Sequence, residues 1–454
     1  MSTLLEAANA KAIQLGIPLS VHLDLTWRCN ERCVHCYLDH DDAGELTFDE
    51  IAGLLPQMAQ AGVLFLTLSG GEPLLRKDLF AIIRLARELS FNVKLKTNAI
   101  LIKEPQAALI RELGVDTVQI SIYSHRAEVH DAVTKIAGSL ERSLAAVRFL
   151  RSQGLKVTIA NVLMRQNRFD YPEVKRLAEE LGATFTVDPT ITPHINGDRS
   201  LLALNIDRAA LKEVMRDESI IGDVGEFCAP PGPVTEDELD GLPCSAGHSA
   251  CYISPYGDVY PCVQFPLPSG SIRKQKFIDI WKHSPELNEV RTIRARDLPV
   301  CSTCVHVGSC SRCPGLAYME GNMRGPSTAD CEKSTRAPAS PASTCCANSK
   351  LPPPARPPFQ LAGNNRSARS RGAALAPRFA MLDREQRRPR HIIQRIQPPR
   401  QREQGAIAQS RSEQARRQIA RASALGIDRR ERHSPFRKVA FLASLKKSFF
   451  HLSA

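Results

Sequence analysis

Short apolar runs alternate with amphipathic segments over the first part of the chain. Stretches such as LSVHLDLT and VLFLTLSGG are typical of buried strands, and TFDEIAGLLPQMAQAG repeats its apolar residues at helical spacing. Thr47 is expected to cap this helix and Gly62 to end it. Strand and helix alternate about six times over residues 20–195, which predicts an α/β fold with a parallel sheet. The periodicity leaves open a doubly wound sheet or an incomplete (β/α) barrel.

The alternation stops near residue 195. Residues 196–243 form a connecting segment with one short helix predicted in DRAALKEVMRD. Residues 244–335 are rich in Cys, Gly and Pro, which favours a small domain stabilised by bound ligands. Within it, ACYISPYGDVYPC predicts a hairpin that turns near Gly257. Residues 1–19 are a lead-in to the first strand.

The last part of the chain, residues 336–454, has a different composition. It is rich in Pro, Ala, Ser, Gln and Arg, and carries 25 basic against 6 acidic residues. Scarce large apolar residues cannot offset the entropy of ordering the chain, so we predict a disordered basic tail. No aromatic residues are interleaved with the arginines in the way that single-strand binders use them, so a nucleic-acid partner is not expected.

Fourteen cysteines are the main sign of chemistry. No apolar run reaches the roughly 18 residues that a membrane span needs, and the first residues do not resemble a secretory signal. We therefore expect a cytoplasmic protein without a membrane partner. In that reducing compartment, cysteines serve metal ligation more often than disulfide formation.

The stretch RCNERCVHCYL places Cys29, Cys33 and Cys36 in a C-x3-C-x2-C pattern directly after the first predicted strand. A zinc site would need a fourth ligand, which His35 or His40 could supply. Iron–sulfur clusters are held by thiolates at such short spacings, and a [4Fe–4S] cube on three thiolates leaves one iron open to a small molecule. The carboxyl end of a strand is also where α/β folds place their chemistry.

Together with SGGEP after the second strand, this pattern resembles the radical S-adenosylmethionine (SAM) enzymes. The resemblance implies a partial (β/α)6 TIM-type barrel over residues 20–195. It also implies that Cys29, Cys33 and Cys36 hold a [4Fe–4S] cluster that binds and reductively cleaves SAM, so that a 5′-deoxyadenosyl radical takes hydrogen from a substrate. The residues that match cofactor-binding positions are Gly70, Gly71, Glu72 and Pro73 of GGEP, Asn98 of TNA, and Ser121 of ISIYS. At His35 the family usually carries Phe, Tyr or Trp.

Residues 244–335 resemble the SPASM extension of radical enzymes that modify peptides, which holds one or two auxiliary iron–sulfur clusters. The resemblance assigns one set of ligands to Cys244, Cys262 and Cys313, and another to Cys301, Cys304, Cys310 and Cys331. The first set lacks a ligand, which Cys228, Cys251 or a substrate could supply. Without the resemblance, CSTCVHVGSCSRC could equally be a zinc ribbon, which would make the protein a zinc-stabilised binding module.

This second part is similar to the enzyme that crosslinks the pyrroloquinoline-quinone precursor peptide and to related peptide maturases. The similarity implies a ribosomally made peptide or protein as substrate and a flavodoxin or ferredoxin-type reductant. Because only about 20 residues precede the first strand, we expect a separate small peptide-binding chaperone as partner. Related enzymes that act on haem precursors or other small molecules suggest the alternative substrate class.

Overall fold

The computed structural model describes residues 2–40, 44–222, 233–308, 310 and 312–334. The predicted tail and Cys228 lie outside these residues. Among the described helices, none is both long and apolar enough to cross a membrane.

Six parallel strands form the central part of the sheet. They are β1 Ser20–Thr26, β2 Phe65–Gly70, β3 Asn92–Thr97, β4 Thr117–Ser121, β5 Lys156–Val162 and β6 Thr184–Asp188. The helices of this part are α1 Ser2–Leu15, α2 Phe48–Gln60, α3 Leu79–Glu88, α4 Glu104–Glu112, α5 Ala127–Thr134, α6 Ser139–Ser152 and α7 Tyr171–Glu180. Each strand pairs with the next one in parallel register, which confirms the predicted α/β fold.

The predicted start of α2 is confirmed by its capping contacts. The Thr47 side chain accepts a hydrogen bond from the Glu50 backbone amide, and the Glu50 side chain in turn accepts one from the Thr47 amide. Such a reciprocal box satisfies backbone donors that a helix start leaves without partners. Gly62, two residues after the end of the helix, has a φ of 95°, a conformation that favours glycine.

The sheet continues into the second part of the chain, which the sequence did not indicate. Strand β7 (Ala250–Ile253) pairs in parallel with β1, and β8 (Val259–Tyr260) pairs antiparallel with β7 as the predicted hairpin. The strand order is therefore β6-β5-β4-β3-β2-β1-β7-β8. The cysteine-rich region is thus built onto the barrel sheet.

The two faces of the sheet have opposite character. On β1, Val21, Leu23 and Leu25 belong to the large apolar core between sheet and helices, whereas His22 and Asp24 point the other way. Successive side chains of a strand face opposite sides, so the inner face is lined by polar residues. A cavity lined by residues of β2 to β6 shows that the sheet curves around this polar face. The fold therefore leaves a polar interior for the chemistry.

The remaining helices surround this sheet and the cysteine-rich region. They are α8 Arg208–Val214, α9 Glu218–Ile221, α10 Glu236–Leu239, α11 Phe277–His283, α12 Pro285–Thr292, α13 Pro314–Met319 and α14 Thr328–Ser334. Helix α11 fixes the second region against the barrel helices, since the Trp281 indole donates to the Gly16 carbonyl at 2.7 Å and the Phe277 amide donates to the Gln57 side chain at 3.0 Å. The Trp281 side chain is almost completely buried.

Candidate iron–sulfur and nucleotide site

An open cavity lies at the carboxyl ends of the parallel strands. Cys29, Cys33 and Cys36 all line it, as do Asn98 and Ser121. The structure thus brings the three cysteines of the predicted cluster together with residues from the ends of β3 and β4. Among the predicted cofactor-binding residues, Gly70 and Gly71 also line the cavity.

The loop that carries the three cysteines is held from one side by α5. The Arg32 amide donates to the Thr134 carbonyl at 3.0 Å, and the Val34 amide donates to the Val133 carbonyl at 2.9 Å. These bonds fix the middle of the loop to the end of a packed helix. Backbone contacts with α5 therefore help to set the positions of the three cysteines.

The thiols of this loop lie in a low-dielectric environment. Burial raises the pKa of Cys29 to about 12, and burial also raises the pKa of Cys33 and of Cys36. A free thiol here stays protonated, whereas a thiol that binds a metal is deprotonated outright. The raised pKa values therefore disfavour nucleophilic chemistry by these thiols.

Donors around the sulfurs fit an iron–sulfur cube. The Glu31 amide donates to Cys29 Sγ at 3.4 Å, Asn98 Nδ2 approaches the same sulfur at 3.8 Å, and the Tyr123 hydroxyl approaches Cys33 Sγ at 3.9 Å. Donors of this kind tune clusters through hydrogen bonds to sulfur. In the described ranges, no three His, Cys, Asp or Glu side chains converge closely enough for a single metal ion. Cube thiolates need not converge, because each binds a different iron atom.

The glycines of GGEP allow the end of β2 to approach the chain that leads into the cysteine loop. A Cβ atom on Gly70 would overlap the Thr26 carbonyl oxygen, and one on Gly71 would overlap the Arg28 carbonyl oxygen. Gly70 also has a φ of 129°, which side chains rarely permit. The Gly71 amide donates to the Thr26 oxygen at 2.7 Å, so the two segments are bonded as well as closely packed.

The burial of the Glu72 side chain beneath the cavity wall was not predicted from the sequence. Its carboxylate is completely buried, does not line the cavity, and accepts hydrogen bonds at 2.9 Å from the Leu74 amide, the Asn98 amide and the Thr97 hydroxyl. Burial, which these donors offset only in part, raises the pKa of Glu72 to about 7. The neighbouring Pro73 is buried and begins a 3-10 turn. Glu72 therefore ties the end of β2 to the end of β3 and positions Asn98.

Asn98 lies between the cysteine loop and the cavity. Its Nδ2 atom donates to the Asn30 side chain at 2.7 Å, and its Oδ1 atom accepts from the Ile100 amide at 3.2 Å. The side chain is thus oriented toward the cluster loop by contacts on both sides. Its predicted contact with a nucleoside stays a prediction.

His35 and Tyr123 form one wall of the cavity. Their rings lie edge to face with centroids 4.9 Å apart. Burial lowers the pKa of His35 to about 4, so its ring is neutral near pH 7. A neutral ring in this place supplies the flat surface that the family usually obtains from Phe, Tyr or Trp.

The cysteines of the second region form two separate groups. The thiols of Cys244 and Cys262 are close enough to Cys313 to add to the burial that raises its pKa. The thiols of Cys304 and Cys310 likewise act on Cys301, whose pKa is raised to about 11, chiefly by burial. That these groups are the two predicted ligand sets stays a prediction. Cys331 lies in α14, and its membership of the second set stays a prediction.

Cys251 packs differently from the cysteines of both groups. Its side chain belongs to the large apolar core, together with Leu23 and Ile253, and its pKa is raised to about 12 by burial. The alternation of β7 explains this, because Tyr252 takes the inward direction and its hydroxyl donates to Asp24 at 2.8 Å. The structure therefore favours a packing role for Cys251 over the ligand role that the sequence left open.

Two residues that line the cavity, Tyr37 and Lys96, were not predicted as site residues from the sequence. Tyr37 packs against one apolar cluster formed by Trp27, Leu38 and Ile195 and against a second that contains Tyr252. Cys36 packs against the first of these clusters, and Cys262 packs against the second. Lys96 lines the cavity from β3. The signal for the lysine was present in NVKLKT, where alternation directs Lys94 and Lys96 to the face opposite Val93 and Leu95.

Comparisons with known proteins agree with this geometry. The sequence model of the radical SAM superfamily matches residues 24–178, and that of the SPASM iron–sulfur cluster-binding domain matches residues 244–305. The AdoMet-dependent heme synthase of Methanosarcina barkeri is 30% identical over 327 residues, which cover 66% of this chain and 92% of the relative. This chain belongs to the radical SAM superfamily. The family assignment and the SPASM domain predicted from the motifs are confirmed.

Other relatives of this radical SAM enzyme are named as peptide-modifying proteins. PqqA peptide cyclase of Rhodopseudomonas palustris is 30% identical, with 69% of this chain and 87% of the relative covered. Mycofactocin maturase MftC of Mycobacterium ulcerans is 29% identical, with 72% and 90% covered. The crystal structure of Streptococcus suis SuiB bound to precursor peptide SuiA has a TM-score of 0.58 at 19% identity, covering 72% of this chain and 79% of that one, and shows the likeness of fold.

The replacement Cys251→Ala tests the packing role. We expect it to leave the iron and sulfide content of the anaerobically purified enzyme unchanged, because the thiol lies in the apolar core. Cys262→Ala is the matched comparison and should reduce the iron content. A loss of iron from Cys251→Ala equal to that from Cys262→Ala would contradict the packing role.

The replacement Glu72→Gln tests the tie between β2 and β3. The amide group would face donors and leave one buried donor without an acceptor, which costs about 1–3 kcal/mol. We expect a lower free energy of unfolding and weaker SAM binding at unchanged iron content, measured by chemical unfolding and equilibrium dialysis. The exposed Glu112→Gln is the control. Lost SAM binding at unchanged stability would instead indicate direct contact between the carboxylate and the cofactor.

Proposed function

We infer that this enzyme uses SAM radical chemistry to modify a ribosomally made peptide or protein. The observation that carries the proposal is the position of the cavity. It lies at the carboxyl ends of the strands and is lined by Cys29, Cys33 and Cys36 as well as by residues 190–192, which follow β6. The named functions of PqqA peptide cyclase and mycofactocin maturase support a peptide substrate.

The cavity also reaches the second region of the chain. Thr192 lines its rim, and the hydroxyl of this residue accepts a hydrogen bond at 2.7 Å from the Gln264 side chain, two residues beyond Cys262. A substrate in the cavity would therefore lie between the first cysteine group and the second. This arrangement suits a reaction in which auxiliary clusters act next to the substrate.

Each part of the site has a proposed role. Cys29, Cys33 and Cys36 hold a [4Fe–4S] cluster, which when bound supplies the electron for SAM cleavage and an open iron for its amino and carboxylate groups. Asn98 and Ser121 contact the nucleoside from the strand ends. The ring of His35 helps to exclude water from the site.

The proposed partners follow from the same assignment. One or two auxiliary clusters bind to the two cysteine groups of the second region. A flavodoxin or ferredoxin-type protein in the cytoplasm supplies electrons, and a separate small chaperone presents the peptide.

A second candidate is modification of a haem precursor. It is favoured by the AdoMet-dependent heme synthases among the relatives, of which one is covered over 92% of its length. The polar inner face of the barrel would accept the acidic side chains of such a molecule as well as those of a peptide.

Product analysis under strictly anaerobic conditions tests the peptide function. Reconstituted enzyme, SAM and dithionite are incubated with the small proteins encoded beside the enzyme, and 5′-deoxyadenosine and peptide masses are followed by mass spectrometry. We expect 5′-deoxyadenosine and a changed peptide mass. Cys33→Ala should lose both, because two thiolates do not hold the cube, whereas Cys304→Ala should lose only the changed mass.

Other outcomes decide between the alternatives. A changed mass of a porphyrin substrate, with no peptide changed, would favour the haem-precursor function. A colourless protein that carries zinc and forms no 5′-deoxyadenosine would contradict both, and would favour a zinc-stabilised binding module.

A further inference from the structure

The second cysteine region contains a buried arginine, Arg312. It lies between Cys310 and Cys313 in the chain, and only 5% of its surface is exposed. An arginine keeps its positive charge at every pH at which proteins are folded, and a charge is costly to bury unless other groups replace the lost water. The contacts of Arg312 therefore indicate what its charge serves.

Backbone carbonyls hold the guanidinium group in one place. The Nε and Nη2 atoms of Arg312 donate to the Gly325 carbonyl at 2.8 and 2.5 Å, and Nη2 also donates to the Met323 carbonyl. Both carbonyls belong to the segment between α13 and α14, just before the helix that carries Cys331. They fix the position of the side chain, but a carbonyl has no net charge and leaves the cation without a counter-ion.

Within the described part of the chain, no carboxylate forms an ion pair with Arg312. Asp330, a buried acid of the same region, pairs with Lys333 at 3.3 Å and accepts a hydrogen bond from the Cys313 amide at 2.6 Å. The Nη1 atom of Arg312 is buried and has no hydrogen-bond partner among the described residues. A buried cation with an unused donor is costly, so this place favours an anion.

Thiols of the second cysteine group lie beside the guanidinium. Burial raises the pKa of Cys301 to about 11, and Arg312 acts against this rise through its charge and a side-chain hydrogen bond. Cys304 and Cys310 act on the same thiol, so the three sulfurs and the guanidinium lie together. Thiols that bind a metal are thiolates, and these would supply the negative charge that the arginine otherwise lacks.

We propose that Arg312 is the counter-ion of an auxiliary iron–sulfur cluster on Cys301, Cys304 and Cys310, and that it raises the reduction potential of that cluster. The inference rests on the proposed function, because it takes an iron–sulfur cluster to bind at this cysteine group. Reduction adds one negative charge to a cluster, so a fixed cation beside it favours the reduced state. Net charge and hydrogen bonds to sulfur are among the features that set the potential of such clusters.

A redox titration followed by electron paramagnetic resonance tests the counter-ion in the full-length, cluster-loaded enzyme. Reduced-cluster signals that SAM leaves unchanged are assigned to auxiliary clusters. At the midpoint potential of the unmodified enzyme, we expect Arg312→Met to lower the ratio of reduced to oxidised cluster about tenfold or more for one of these signals, and tenfold corresponds to about 59 mV. Arg312→Lys keeps the charge and should keep most of the ratio. The exposed Arg296→Met, which removes a surface charge, is the matched control and should leave the ratio unchanged.

Iron and sulfide content separate an effect of charge from an effect on the fold. An unchanged ratio in Arg312→Met at normal iron content would overturn the counter-ion, as would a reduced enzyme without any signal that SAM leaves unchanged. Loss of iron from Arg312→Met, with iron and midpoint potential kept in Arg312→Lys, would support it. Equal loss of iron from both variants would show that the guanidinium only braces the segment at Gly325, and would overturn the proposal.

The two proposals fail separately. A lowered ratio in Arg312→Met, together with no changed peptide mass, leaves the counter-ion standing and removes the peptide function. A changed peptide mass, together with an unchanged ratio in Arg312→Met, leaves the peptide function standing and removes the counter-ion.

Discussion

The buried carboxylate of Glu72 holds together the mouth of the barrel. The carboxylate accepts a hydrogen bond from the backbone amide of Asn98, at the end of β3. The backbone amide of Glu72 donates to the Arg28 carbonyl at 2.9 Å, next to the first cluster cysteine. Three chain segments that are distant in sequence therefore meet at one residue. A buried carboxylate is costly unless its acceptors are used, so this arrangement has little freedom to vary. The positions of the cysteine loop and of Asn98 depend on it.

The two faces of the sheet differ in polarity, which allows the barrel to be stable and to hold a reaction site. A closed eight-stranded barrel fills its interior with branched apolar side chains. Here the apolar residues lie on the helix side, and the inner face carries groups such as Asp24, Lys96 and Gln119. Stability comes from the outer layer, and the interior remains open to a cofactor and a substrate. The continuation of the sheet into β7 and β8 brings the second cysteine region to the same polar space.

Local patterns predicted the parts of this structure that depend on neighbouring residues. The six alternating units, the cap at Thr47 and the hairpin around Gly257 follow from periodicity and turn chemistry. The pairing of β7 with β1 could not be predicted in this way, because a parallel partner 230 residues later leaves no local signal. The direction of the Glu72 side chain was also out of reach, since it depends on the spacing of β2 and β3. The role of Cys251 was left open by the sequence, because a cysteine in a cysteine-rich segment can either pack or bind a metal.

The central claim is that an iron held by the Cys29, Cys33 and Cys36 loop is open to SAM. Electron paramagnetic resonance of the dithionite-reduced, full-length enzyme tests it most directly, with spectra recorded before and after addition of SAM. The account predicts that SAM shifts the g values of a reduced [4Fe–4S] signal, and that Cys33→Ala abolishes the shift. Identical spectra with and without SAM, from protein that contains its iron and sulfide, would contradict the account.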